Sequence, residues 1–266
     1  MVGSPRPPFS VHRRPMNRFG LLATTLALLS TWQAGAQTIA YANVTNYNGL
    51  GFWNSSTQTS GSNVISAFAA DDIFFPAPGS FRLYEIRFSV FNFNAETVTA
   101  RPILRFFDNN GANGGPGTYL GGFDLDAVTV AGDGTTTLFL LDVSNDAPII
   151  VDGSFWAGIA FDNNSGATGA TATQLENLGQ GLFSPPTLGT SADHFFVSNE
   201  LGNFAGDNPS GDFLDFFGLI PADFGWQFSV FNSVPEPSSV LLVGGLGGLA
   251  FVATARRRKA SSGLIA

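Results

Sequence analysis

Asp108, Asn109, Asn110 and Asn113, followed closely by Asp124 and Asp126, are the first residues in the sequence whose types and spacing suggest chemistry. Carboxylate and amide oxygens gathered on a Gly-rich loop suit a hard cation. Ca²⁺, with roughly 6 to 8 oxygen ligands and tolerance of irregular geometry, is the ion they would take. Asp108, Asn110, Asn113, Asp124 and Asp126 are therefore candidate metal ligands, and Ca²⁺ is the one cofactor the sequence suggests. The spacing departs from the EF-hand loop: counted from Asp108, Ala112 falls fifth, where a ligand is needed, and Asn113 sixth, where a glycine is needed. A hairpin loop built on turn-forming Asn and Gly is the competing reading. Asp207, Asp212 and Asp215, with Ser210 among them, form a second acidic cluster.

Flat aromatic faces can stack on sugar rings. Trp53 lies in an Asn/Ser-rich segment and is the candidate ligand-binding residue, whereas Trp156 alternates with Gly158 and Ala160, and Trp226 with Phe228 and Val230, as core residues do. Arg82, Arg87, Arg101 and Arg105 fall on two predicted strands that a turn around residues 93–96 would join as a hairpin. Arg87, Arg101 and Arg105 would then share a face, with Glu85, Glu96 and Asp108 near enough in sequence to neutralise them.

Catalysis has few groups to work with. The chain has no cysteine and two histidines, and His12 falls in an N-terminal segment that reads as a leader. His194 remains, and its neighbour Asp193 would point to the opposite face of a strand. No G-x-S-x-G, H-E-x-x-H or phosphate-loop motif is present. Two carboxylates suffice for glycoside hydrolysis, but nothing in the sequence selects a pair among the acids. The expectation is a protein that is not an enzyme, with a secreted glycoside or ester hydrolase as a remote alternative.

Short strands must position these groups. The composition, with 32 Gly, 27 Phe and 12% charged residues, is that of a turn-rich β protein. In residues 85–90, Ile86, Phe88 and Val90 alternate with Glu85, Arg87 and Ser89, the period of a half-buried strand. Residues 98–107 read as a strand that Pro102 makes an edge or bulged one. Residues 135–143, 149–151, 154–161, 194–197 and 226–231 follow, with Asn/Gly-rich loops between them, and residues 173–178 supply one or two helical turns. Residues 55–62 (SSTQTSGS) read as a mobile loop. The pattern predicts an all-β chain, a single two-sheet β-sandwich or jelly-roll domain over residues 37–233. That region holds 4 basic and 19 acidic side chains and no lysine, a formal charge of −15. Such a field repels nucleic acid and anionic lipid.

The ends of the chain read as addresses. Residues 1–36 are an N-terminal extension and signal peptide: Met16 and Arg18 precede an apolar run at residues 21–29, and Ala34-Gly35-Ala36 offers an A-x-A site, so cleavage falls between Ala36 and Gln37. Residues 240–255 are uncharged and long enough for one transmembrane helix, and Arg256, Arg257, Arg258 and Lys259 follow at once, which holds that end in the cytoplasm. Residues 260–266 are a short cytoplasmic tail. Just before the helix stands Val234-Pro235-Glu236-Pro237, where the two prolines keep the backbone extended and accessible.

The Val-Pro-Glu-Pro strip, the short Gly-rich span, the Arg cluster and their order over residues 234–259 resemble the PEP-CTERM sorting signal of exported bacterial proteins. The resemblance implies a Gram-negative, exopolysaccharide-producing host and a membrane-embedded exosortase as partner, which cuts near the motif and releases or transfers the protein. The functional expectation is an exported, non-catalytic cell-surface or extracellular-matrix protein, membrane-anchored before processing. The alternative is a carbohydrate-binding module, Ca²⁺-dependent or not, with extracellular polysaccharide as its ligand.

Overall fold

The computed structural model describes residues 37–200, 204–215 and 223–232. Residues 1–36, expected to be an extension and signal peptide, the Val234–Pro237 motif, the expected transmembrane stretch 240–255, the Arg256–Lys259 cluster and residues 260–266 lie outside the described residues. Among the described residues no helix is long and apolar enough to cross a membrane.

The described chain is all-β. In order it forms β1 (Thr38–Ala42), β2 (Tyr47–Trp53), β3 (Thr57–Ser60), β4 (Asn63–Ser66), β5 (Phe68–Phe74), β6 (Ser80–Asn92), β7 (Val98–Asp108) and β8 (Tyr119–Asp124). There follow β9 (Val128–Val130), β10 (Thr135–Asp142), β11 (Ile150–Asp152), β12 (Ser154–Asp162), the helix α1 (Ala172–Glu176), β13 (Leu178–Phe183), β14 (His194–Ser198), β15 (Asp212–Asp215) and β16 (Trp226–Asn232). One sheet runs β1-β16-β6-β13-β2, with β10 and β11 also on β6. The other runs β15-β14-β5-β12-β4-β3, with β7 on β12 and β8 and β9 on β7.

The core between the sheets follows from alternation. Ile86, Phe88 and Val90 of β6 and Trp226, Phe228 and Val230 of β16 meet Leu104 and Phe106 of β7 and Phe155, Ala157 and Ile159 of β12. Phe228 is at the centre, its ring 5.2 Å from Phe155, 5.6 Å from Trp226 and 6.1 Å from Phe106. A second apolar layer covers the outer face of the other sheet, where Phe68, Ala70, Phe107, Trp156, Phe196 and Phe204 pack together. Trp156 is fully buried there, and its Nε1 donates to the Gly114 carbonyl at 3.0 Å. β5 and β12 are thus buried on both faces.

Three expectations are corrected. β6 and β7 are not a hairpin: β6 pairs with β10, β11, β13 and β16, and β7 with β12, β8 and β9, in opposite sheets. Both strands carry an apolar face, and only by crossing the sandwich do those faces meet each other. Asn92 ties the crossing, its Nδ2 donating to the Glu96 and Val130 carbonyls and its Oδ1 accepting from the Asn94 N–H. β7 is not an edge strand despite Pro102. The Pro102 carbonyl accepts from Leu125 N on the side where β8 has ended and β9 has not begun. A strand residue's N and carbonyl share one side, so the missing N–H faces that break in the ladder. Residues 55–62 include a hairpin, because Gly61, at φ +62°, closes a two-residue turn between Ser60 and Asn63. The helical turn is where the sequence places it, capped by Thr171, whose Oγ1 accepts from Gln174 N.

Candidate functional site

The densest group of chemical side chains sits on β5. Asp71 pairs with Phe195 of β14, and Phe74 bridges to Thr190, so three steps along β5 face five along its neighbour. The surplus bulges out at residues 191–194, and such bulges re-aim side chains. Adjacent strand residues point to opposite faces, yet the bulge brings both Asp71 and Asp72 to one serine. Ser191 Oγ is 2.8 Å from Asp71 Oδ1 and 3.1 Å from Asp72 Oδ1. Asp71 Oδ2 accepts from Phe224 N at 2.7 Å, and Asp72 Oδ1 from Ala192 N at 2.8 Å. His194 Nε2 stands 3.3 Å from Asp72 Oδ2. Asp223, just before β16, joins them beside the Ser184 and Ser191 hydroxyls. All three carboxyls are buried, with Asp71 at 0%, Asp72 at 4% and Asp223 at 6% exposure.

Burial among like charges sets their acidity. Desolvation first, then the Asp72 charge, pushes Asp71 well above the ordinary carboxylate range. Asp72 is raised by burial too, with Ala192 N–H, His194 and Ser191 opposing. Burial brings Asp223 to about 6. The buried Tyr41 hydroxyl, beside Asn43 but without a hydrogen bond of good geometry, has its acidity suppressed by burial and by Asp71, Asp223 and Asp72.

Ser191, Asp72 and His194 are residue types of an acyl-transfer triad, but their order differs. The serine meets the carboxylate and the imidazole meets the carboxylate's far oxygen, so His194 is not placed to take the serine proton. What the group can do is hold and exchange protons. The sequence does carry a signal for it, an Asp-Asp pair inside the otherwise apolar run Phe68–Phe74, which the search for loop clusters missed.

The other candidate residues are dispersed. Asp108 ends β7 and its Oδ1 accepts from Asn109 N; Asn110 Oδ1 accepts from Thr118 N at 2.8 Å. Asn113 lies exposed in a 3-10 turn at φ +57°. Asp124 pairs with Ile103, five positions along β7 from Asp108, a span of about 16 Å at strand rise. Its Oδ1 is 2.7 Å from Arg105 Nη2, and Asp126 is exposed beyond β8. Asp207 reaches the base of the 108–118 loop, its Oδ1 accepting from Tyr119 N at 2.8 Å, while Asp212 and Asp215 stay exposed on β15. Among the described residues no three carboxylate or imidazole side chains are arranged to hold a metal ion. The arginines do not form one stripe: Arg87 approaches Glu85, Arg101 binds Asp162 and Arg105 binds Asp124.

Trp53, at the end of edge strand β2, is 49% exposed, its ring edge-on to Phe93 at 4.9 Å. Beside it runs a groove of about 410 Å³ lined by Phe52, Ser55, Phe195, Leu214 and Asp215, apolar apart from the serine and the carboxylate. Gln37, just after the expected cleavage point, is exposed.

No curated protein matches the chain. Among solved structures it is similar to the cysteine protease and lectin-like domains of Cwp84, a surface layer associated protein of Clostridium difficile, at 13% identity and a TM-score of 0.34. The match covers 64% of this chain, and the chain spans 34% of that one. A family model, the PEP-CTERM protein-sorting motif, matches residues 233–259. The C-terminal region is a PEP-CTERM sorting motif, and it marks the chain as an exported protein sorted by an exosortase.

Proposed function

We propose that the protein is a non-catalytic component of the cell surface or extracellular matrix, delivered as a membrane-anchored precursor and processed at its C-terminal motif. The sorting motif at residues 233–259 carries this reading. The charge of −15 over residues 37–233 supports it, since such a domain stays soluble outside the cell and avoids anionic lipid and nucleic acid. In the native host, Pro235→Ala with Glu236→Ala is expected to move most of the protein from the surface and medium to the membrane fraction, read by immunoblot of the fractions. An unchanged distribution would count against sorting through this motif.

A second reading is favoured by one observation: a half-exposed Trp53 beside a groove that also offers the Asp215 carboxylate and the Ser55 hydroxyl. A sugar ring would stack on the indole while its hydroxyls bond the polar groups. Trp53→Ala is expected to weaken retention of the mature protein on the host's exopolysaccharide about tenfold. Runs with calcium and with EDTA show whether the loop carboxylates take part. Equal retention of variant and parent would remove Trp53 from binding.

A further inference from the structure

Two carboxyls touch one serine hydroxyl, and a third stands beside it, in a region with little positive charge. The groups around it are Asp71 and Asp72 on β5, Asp193 and His194 on the bulge and β14, Asp223 before β16, and Tyr41 on β1. The arginines have partners elsewhere: Arg82 on the Ser144 carbonyl, Arg87 on Glu85, Arg101 on Asp162 and Arg105 on Asp124. His194, 3.3 Å from Asp72 Oδ2, is the basic side chain in reach.

The Ser191 hydroxyl cannot serve both carboxylates at once. The Ser191 hydroxyl has one proton and can donate to Asp72 Oδ1, which also accepts from Ala192 N, while His194 covers Asp72 Oδ2. The hydroxyl also donates toward Asp71 Oδ1 at 2.8 Å and the Ala192 carbonyl at 3.2 Å, so one proton faces three acceptors, and a proton on either carboxyl relieves the conflict between them. Asp71 Oδ2 still accepts from Phe224 N. Tyr41, 0% exposed and unbonded, adds a hydroxyl among carboxylates that none of them binds.

We propose that the carboxyl groups of Asp71, Asp72 and Asp223, gathered around Ser191, are a proton-operated latch. It ties the 190–194 bulge and the start of β16 to β5 and loosens as the pH rises from acid toward neutral. The sign follows from the direction of the shifts. A carboxyl with a pKa higher in the folded state binds its proton more tightly when folded, so stability is greatest below the ordinary value and falls as pH rises through the interval to the folded value. For Asp223 that interval runs from the ordinary 3.8 to about 6. Asp71, raised in the same direction, adds a loss of the same sign.

The test follows denaturant unfolding of the mature exported protein from pH 4.5 to 7.5. The folding constant of the parent is expected to fall about tenfold across that range. Asp223→Asn is expected to remove the part of the fall that lies below about pH 6, whereas Asp126→Asn, which removes the same charge from an exposed position, is expected to keep it. If both variants follow the parent, general charge repulsion explains the curve and the latch is refuted. Native-state hydrogen exchange of the parent provides a reading that needs no variant. Protection at the Ala192 and Phe224 amides, corrected for intrinsic rate, should fall about tenfold over the same range; protection there that does not change with pH would overturn the proposal. A midpoint raised by calcium and restored by EDTA would also overturn it, in favour of a bound cation.

Discussion

Phe228→Ala is expected to destabilise the domain by about 3 to 5 kcal/mol, the range for emptying a large buried aromatic site. Its ring is fully buried and touches residues from both sheets: Phe155 and Phe106 opposite, Trp226 beside it, and Phe75 and Tyr41 at its rim. Those neighbours are held on four different strands and one connecting segment, so no single side chain can swing in to fill the space. The melting temperature should drop by about 10 °C or more for a domain of this size. Phe228→Leu, which keeps much of the volume, is expected to cost well under half of that. A Phe228→Ala protein within about 1 kcal/mol of the parent would mean that the two sheets do not close on this residue.

Arg101→Ala is expected to have a similar effect, about 3 kcal/mol, for an electrostatic reason. Arg101 and Asp162 face each other across β7 and β12; Nε donates to Oδ1 at 2.8 Å and Nη2 to Oδ2. Asp162 is 1% exposed, so removing the guanidinium strands a buried carboxylate with only the Asn164 N–H, at 3.1 Å, to support it. The variant's stability should recover in part when the carboxylate is also made neutral, in Arg101→Met with Asp162→Asn, because no unpaired charge is then left inside. Guanidinium midpoints of the three proteins decide it. Equal midpoints for the single and double variants would show that packing of the Arg101 stem, not charge, is what Arg101 supplies.

A strand was legible in the sequence where polar and apolar residues alternate along it. In β6 and β16 polar residues alternate with Ile86, Phe88 and Val90, and with Trp226, Phe228 and Val230, so both strand and core face are announced, although Ser89, Gln227 and Ser229 are themselves buried. β5 is covered on both sides, and its period is erased: Phe68, Ala69 and Ala70 are all buried, and Asp71 and Asp72 follow into the same interior. No local pattern encodes the bulge that gathers them, since it depends on Thr190 and Phe195 pairing with a strand more than a hundred residues earlier. Strand pairing also placed Arg101 on Asp162, 61 residues on, and Arg105 on Asp124, 19 residues on, rather than on the acids expected to neutralise them. The acidic loop was legible as a loop, but its Asn110 spends its side chain closing the turn on Thr118. By contrast, the C-terminal motif is a matter of residue types in order along the chain, and a sequence suffices to find it.

The C-terminus of the mature protein from its native host therefore tests the functional claim most directly. Intact mass and peptide mapping of the surface or released form should show a chain ending at or near Val234–Pro237, with residues 240–259 absent, and Pro235→Ala with Glu236→Ala should abolish that product. A surface protein that still carries residues 240–259 would contradict processing by an exosortase at this motif.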